Sequence, residues 1–302
     1  MKHMNETHSN SEVPRQWNTF INTPPENNDP KTAAVKLLPI PYDGTTSYRT
    51  GSRDGPSAII TASRQLEDYD LELDCNIADI GIAILPEIEV DVSGPESMIS
   101  RIDKVVSSSI SENSIIGLLG GEHTISIGAV QALKRHNKDL SVLYLDAHAD
   151  LRETYMGSPW SHACVARRIL ETCPIVEIGV RSLSLEEKQL IEKLHIPVHF
   201  WPVDVEDFQN MIESTIDQLS EHIYISIDLD VLDPSIMSAV GNPEPGGITW
   251  EGITKIIRSV SERKQVVGFD IVELSPEEGP EACSFIAAKL AYKLAGYATT
   301  YR

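Results

Sequence analysis

The chain is short of positive charge, cysteine and aromatic residues, and it has no long apolar run. Lys and Arg number 25 against 45 Asp and Glu, a formal net charge of −20 at pH 7. So acidic a chain repels nucleic-acid phosphates and anionic membrane faces, and neither is expected as a partner. It suits a small cationic molecule, although a soluble, self-repelling surface is the plainer consequence. No stretch approaches the roughly 20 apolar residues of a membrane span. The stretch from Met1 to Pro30 is polar and lacks the apolar centre of a secretory signal. Cys75, Cys164, Cys173 and Cys283 form no CxxC pair, and disulfide scaffolds are shorter and denser in cysteine. Reduced thiols in a cytoplasmic protein are the expectation. Cys164 stands two residues from His162, which invites a nucleophile reading. It sits in a helical pattern, however, and a packed thiol is its plainer reading.

What is present is a long alternation of strand and helix patterns. Residues 1 to about 32 read as a polar tail without a period. From residue 33 to 302 one α/β domain is expected. Strands are predicted at Val35–Pro39, Ile77–Ile82, Ile115–Leu119, Ser141–Asp146, Ile175–Gly179, Pro197–Trp201, Ile223–Asp228 and Val266–Val272. Several are near-continuous apolar runs, the mark of parallel strands covered on both faces. Helices are predicted from Pro56, which suits a first helical turn. Others cover Glu96–Ser109, Thr124–His136, Ser161–Thr172, Leu185–Leu194, Glu206–Leu219, Trp250–Arg263 and Glu281–Leu294. The architecture is a mostly parallel sheet of about eight strands with helices on both faces.

Two short runs carry the chemistry: Asp146-Ala-His148-Ala-Asp150 and Ser226-Ile-Asp228-Leu-Asp230. Residues two apart on an extended segment point the same way, so each run turns its polar side chains toward one point. With His123 of Gly120-Gly-Glu-His they offer two imidazoles and four carboxylates, a ligand set for two divalent ions sharing carboxylates. Such a pair generates hydroxide from water near neutral pH, so a metal-dependent hydrolase is expected. Carboxylate and imidazole without thiolate favour Mn, Fe or Mg over structural zinc. Each run lies at the end of a predicted strand, and in a parallel sheet those ends share the edge where ligands bind.

The ordered blocks Gly120–Thr124, Asp146–Asp150, Ser226–Pro234, Gly241–Gly247 and Val272–Pro276 resemble the ureohydrolase family of arginases and agmatinases, over about residues 33–300. The resemblance implies a three-layer α/β/α arginase-like fold with two Mn²⁺ per subunit. It assigns His123 and Asp150 to one ion, His148 and Asp230 to the other, and Asp146 and Asp228 as bridges. It implies a water between the ions as nucleophile toward a guanidinium carbon. Asp150 would pass the proton to the leaving amine, His162 would shuttle protons, and Glu273 would bind the guanidinium. An imidazole suits a shuttle because its ordinary pKa lies near working pH, and a planar guanidinium suits a carboxylate fork. Trimers or hexamers are the implied assembly. The chain departs from the family at Glu122 and Thr124, where Asp and Ser are usual, at Asn242, where Thr is usual, and near Met237–Ser238, where a family proline is replaced. All these surround the substrate wall. Gly246 and Gly247 fit either close backbone passage or an ordinary turn.

The loop from Glu153 to Ser161 lacks the stretch with which arginases hold an amino acid's carboxylate and amine. Agmatine, a small cationic guanidino compound, is therefore the expected substrate. Arg152 argues the other way, since it is placed to clamp a carboxylate such as that of guanidinobutyrate or formimidoylglutamate; a salt bridge is its plainer role. Arginine ranks third, and a non-catalytic metal-binding subunit is the reading from a different class. The remaining histidines (His3, His8, His136, His195, His199, His222) have no neighbouring carboxylate pattern.

Overall fold

A computed structural model of the chain describes residues 19–302. In chain order its strands are β1 (Val35–Ile40), β2 (Tyr69–Asp70), β3 (Cys75–Asn76), β4 (Ile82–Ile84), β5 (Ile115–Gly120), β6 (Ser141–Leu145), β7 (Ile175–Ile178), β8 (Val198–His199), β9 (His222–Asp228) and β10 (Gln265–Val272). The α-helices are α1 (Gly55–Ser63), α2 (Pro95–Ser109), α3 (Ile125–His136), α4 (Val165–Leu170), α5 (Leu185–Leu194), α6 (Phe208–Gln218), α7 (Trp250–Ser261) and α8 (Ala282–Thr300). Eight strands form one sheet in the order β4-β1-β5-β10-β9-β6-β7-β8, and every neighbouring pair is parallel. The short β2 and β3 pair antiparallel to each other.

Helices lie on both faces because both faces are apolar. Ile59 of α1, Ile212 of α6, Ile256 of α7 and Leu290 of α8 pack with Leu143, Ile225 and Ile271 of the sheet. Ile102 of α2, Val130 of α3, Ile169 of α4 and Ile191 of α5 pack with Val142, Tyr224 and Val272. Alternate residues of one strand therefore serve opposite layers, and β1, β5, β6 and β7 have no water-facing side to mark in sequence. Local signals set the helix ends. Ser184 and Glu187 form a reciprocal capping box on α5, and the Thr249 side chain accepts from the Gly252 amide at the start of α7.

The structure departs from expectation in three places. The strand predicted over Ile77–Ile82 is a 3₁₀ turn at Ile77–Ile80 capped by Asn76, and Gly81, at φ 79°, turns the chain into the short β4. A polar cap and a left-handed glycine inside an apolar run override its strand pattern. The helix expected over Ser161–Thr172 is a 3₁₀ turn at His162–Cys164 and then the six-residue α4. Of the predicted tail, residues 1–18 lie outside the described residues. Phe20 and Ile21 further along are fully buried, and the Ile21 amide donates to Ser63 Oγ at 3.0 Å.

Glu177 is out of place in this core. It lies on β7 opposite Tyr144, fully buried, and neither carboxyl oxygen has a hydrogen-bond partner among the described residues. Burial, then the charges of Asp146, Asp150 and Glu187, hold its pKa well above the carboxylate range. The folded acid thus keeps its proton to a higher pH than the unfolded chain does. Wild-type stability is lost as pH climbs above the ordinary value of 4.5. Glu177→Met should stabilise the fold by about 1–3 kcal/mol, with the gain smallest at acid pH and widening as pH rises. Thermal melts from pH 5 to 9 check this; an unchanged or lowered Tm at pH 8 would show that the carboxyl is satisfied.

Candidate active site

The four central strands, β5-β10-β9-β6 in sheet order, deliver the site. His123 comes after β5, Glu273 after β10, Asp228 ends β9 with Asp230 in the next turn, and Asp146 and His148 come after β6. The two ligand runs fold alike: the His148 amide donates to Asp146 Oδ1 at 2.6 Å and the Asp230 amide to Asp228 Oδ1 at 2.9 Å. The runs also join, through the Ala147 amide and Asp230 Oδ1 at 3.1 Å. Gly121 lets the turn before His123 press against Tyr42, whose backbone a Cβ there would strike.

All six predicted metal ligands converge. His123 Nδ1 lies 3.1 Å from Asp146 Oδ2, 3.3 Å from Asp228 Oδ2 and 3.6 Å from Asp150 Oδ2. His148 Nδ1 lies 2.9 Å from Asp230 Oδ2 and 3.6 Å from Asp146 Oδ1. Five of them fall into two groups that could each hold a metal ion, His123-Asp146-Asp228 and Asp146-His148-Asp230, with ligand atoms within 4.8 Å of one another. Asp146 belongs to both groups, as a bridge must. Asp228 belongs to one only, and Asp150 to neither, its Oδ2 accepting from Tyr144 OH at 2.8 Å. The Tyr144 ring also stacks on His123, centroids 4.5 Å apart.

The charges fit divalent cations. Burial, reinforced by Asp146 at Asp150 and by Asp230 at Asp228, raises those two pKa values well above the carboxylate range. At Asp146 burial pushes the same way, but the neighbouring His123 and His148 imidazoles prevail and hold the carboxyl low. Its Oδ2 is buried and, despite the nearness of His123, makes no hydrogen bond of good geometry. A lone pair left free at the centre of a carboxylate cluster is what a bridging ligand requires.

A cavity of about 240 Å³ opens on this cluster, with Glu273 and His162 in its wall. Glu273 Oε1 accepts from the His123 amide at 2.7 Å, and burial, then Glu122, pushes its pKa up to about 8. Glu273 and Asp150 both hold left-handed backbones, at φ 68° and 49°. His162 Nε2 lies 3.2 Å from Ser47 Oγ and its Nδ1 3.3 Å from Thr45 Oγ1. Burial pulls its pKa down to about 4, so the imidazole is neutral at neutral pH rather than poised near it. Thr45 in turn donates through its amide and hydroxyl to both oxygens of Glu122, at 2.6 and 2.8 Å. Thr45 and Ser47 escaped sequence reasoning, because a Thr-Thr-Ser turn carries no signal of its own. Arg152 stacks over Tyr155, 5.2 Å from its centroid, with Nε 3.8 Å from Glu187 Oε2. Glu187 is held by the Leu151 amide and by the Ser184 amide and hydroxyl.

The family model of the arginase family matches residues 33–296. The chain belongs to the arginase family. It is a hydrolase of the ureohydrolase type, and its single α/β domain is the arginase-like fold. An N(1)-aminopropylagmatine ureohydrolase of Synechocystis is 38% identical over 273 residues, covering 88% of this chain and 89% of the relative. An agmatinase of Pyrococcus horikoshii is 36% identical, covering 89% of this chain and 93% of the relative. Among solved structures, the agmatine ureohydrolase of Thermoplasma volcanium superposes with TM-score 0.81 at 37% identity, covering 91% of this chain and 92% of that one. The proclavaminate amidino hydrolase of Streptomyces clavuligerus superposes at 0.83 with 26% identity, covering 95% and 99%. No helix among the described residues is long and apolar enough to cross a membrane.

Proposed function

We propose that the chain hydrolyses the guanidinium group of agmatine to putrescine and urea, using two Mn²⁺ ions per subunit. The observation that carries this is the buried Glu273 carboxyl in one cavity with five of the six converging ligands, His123, His148, Asp150, Asp228 and Asp230. When bound, the ion pair supplies the Lewis acidity that brings a water's pKa toward neutrality. The chain's own groups do the rest. Glu273 pairs with the guanidinium, held in place by the His123 amide. Asp150, oriented by the Tyr144 hydroxyl, carries the proton to the leaving amine. Neutral His162, braced by Thr45 and Ser47, accepts a proton at a ring nitrogen. Residues 33–302 carry this chemistry, in a cytoplasmic homo-oligomer (a trimer or hexamer).

The substrate's tail is read beside Arg152. Its pairing with Glu187 and its stacking on Tyr155 favour a structural role over a carboxylate clamp, and so favour an amine tail. The aminopropylagmatine ureohydrolases among the relatives support N(1)-aminopropylagmatine as the second reading. Product release by Mn²⁺-loaded protein decides between them: urea from agmatine, N(1)-aminopropylagmatine, arginine and 4-guanidinobutyrate, and formamide from formimidoylglutamate. The amine-tailed compounds should lead. A lead by an acid-bearing compound would make Arg152 the clamp and overturn the choice of substrate.

A further inference from the structure

Arg181 lies just past β7 and belongs to none of the motifs that point to chemistry. Its guanidinium is half-buried and donates only to backbone carbonyls. Nη1 reaches Gly179 O at 3.1 Å and Val231 O at 3.3 Å. Nη2 reaches Glu244 O at 2.7 Å, Asp230 O at 2.8 Å and Leu232 O at 3.5 Å. Nε reaches Pro245 O at 3.1 Å and Glu244 O at 3.3 Å. Among the described residues no ion pair to a carboxylate accompanies these bonds. A guanidinium presents five N–H donors in a rigid fork, and here the fork spans three chain segments at once. The Arg181 amide adds a fourth segment, donating to Ala147 O at 2.9 Å.

These segments share one destination. Asp230 and Ala147 lie in the two ligand runs. The 230–233 turn and the 244–248 loop are zipped together further along: Asp233 Oδ2 accepts from the Gly246 and Gly247 amides, both at 3.0 Å, and the Ile248 amide donates to Val231 O at 2.9 Å. Gly247 is required there, because a Cβ would strike the Leu232–Asp233 peptide. Of the two roles open to this glycine, close backbone passage is therefore the one it fills. The loop so fixed places Glu244 Oε1 3.9 Å from His148 Nε2. At that distance the carboxylate makes no direct hydrogen bond, but its charge favours the ring proton on Nε2 and leaves Nδ1, which faces Asp146 and Asp230, free to ligate.

We propose that Arg181 is a positioning residue for the Asp146-His148-Asp230 half of the site. It fixes Asp230 through its carbonyl, and His148 through the loop that carries Glu244. The inference rests on the proposed two-metal site. It requires no contact between Arg181 and substrate, so its loss should act on one metal ion and on turnover and should spare substrate affinity.

The test compares wild type with Arg181→Met, which keeps the bulk and removes every donor, and Arg181→Lys, which keeps the charge but not the fork. Three readouts are taken: amide exchange of the metal-free protein, Mn²⁺ bound per subunit, and kcat and KM separately. In Arg181→Met, amides of 230–233 and 244–248 should exchange faster while the strands keep their protection. One of two Mn²⁺ should weaken by about 10- to 100-fold, as when an outer-shell partner is lost. The kcat should fall with it and KM hold within about twofold. Arg181→Lys should fall between, and it carries the test if the Met variant does not fold. Glu244→Ala should weaken the same ion without loosening 230–233. Two ions bound at wild-type affinity in both Arg181 variants, or equal weakening of both ions with a raised KM, would overturn the proposal. Wild type binding fewer than two ions would instead sink the metal-site reading, and the exchange data would still decide the clamp.

Discussion

Asp146→Ala should cut turnover to below about one thousandth of wild type and leave the protein unable to hold two Mn²⁺ together. A metal pair is what brings water to a usable pKa, and a variant without it loses the nucleophile rather than a fraction of its rate. Asp146 is the one side chain common to both metal groups, so its loss damages both halves. Asp228→Ala should be similarly inactive yet retain one ion on the His148 and Asp230 side, because Asp228 belongs to a single group. Metal analysis after desalting, beside a urea assay, separates the two variants. Full turnover in Asp146→Ala would end the binuclear reading.

Glu273→Gln is the second large effect, expected at about 10²- to 10³-fold in kcat/KM, the range for stripping the partner from a buried, hydrogen-bonded charge pair. The variant is informative because it is nearly silent structurally. A glutamine carbonyl can still accept the His123 amide that Glu273 Oε1 takes at 2.7 Å, so the turn after β5 keeps its anchor. Only the negative charge that Glu273 takes on opposite a guanidinium is removed. Losses should appear in KM and kcat together, with Mn²⁺ stoichiometry unchanged. Kinetics equal to wild type would take Glu273 out of the substrate site.

Much of this centre was legible because its ligands sit in short runs at the ends of strongly apolar strands. Val-Leu-Tyr-Leu and Ile-Tyr-Ile-Ser-Ile can only be interior strands, and a parallel sheet then brings their C-terminal ends, and the loops leaving them, to one edge. That β5, β10, β9 and β6 are adjacent was not legible, since strand order depends on crossovers and not on any one segment. Arg181 was invisible for a related reason: all the partners of its guanidinium are carbonyls of loops 49 to 64 residues away, apart from Gly179. Backbone acceptors leave no trace in residue type. Glu177 hid in Ile-Val-Glu-Ile, where alternation places a lone acid on a wet face that this sheet does not have. Ile77–Ile80 misled in the opposite sense, its apolar pattern outvoting the Asn76 cap.

The left-handed backbones of Asp150 and Glu273 bear on how this chain could lose its activity. Each such non-glycine residue destabilises the fold by about 1–3 kcal/mol, and glycine at either place would relieve that strain. With the roles proposed for these two residues, selection for catalysis and selection for stability pull in opposite directions there. A lineage that stopped needing turnover would gain by exchanging them for glycine or asparagine, before any change to the hydrophobic layers was favoured. Decay of the enzyme would begin at 150 and 273 and could leave behind a better-folded protein.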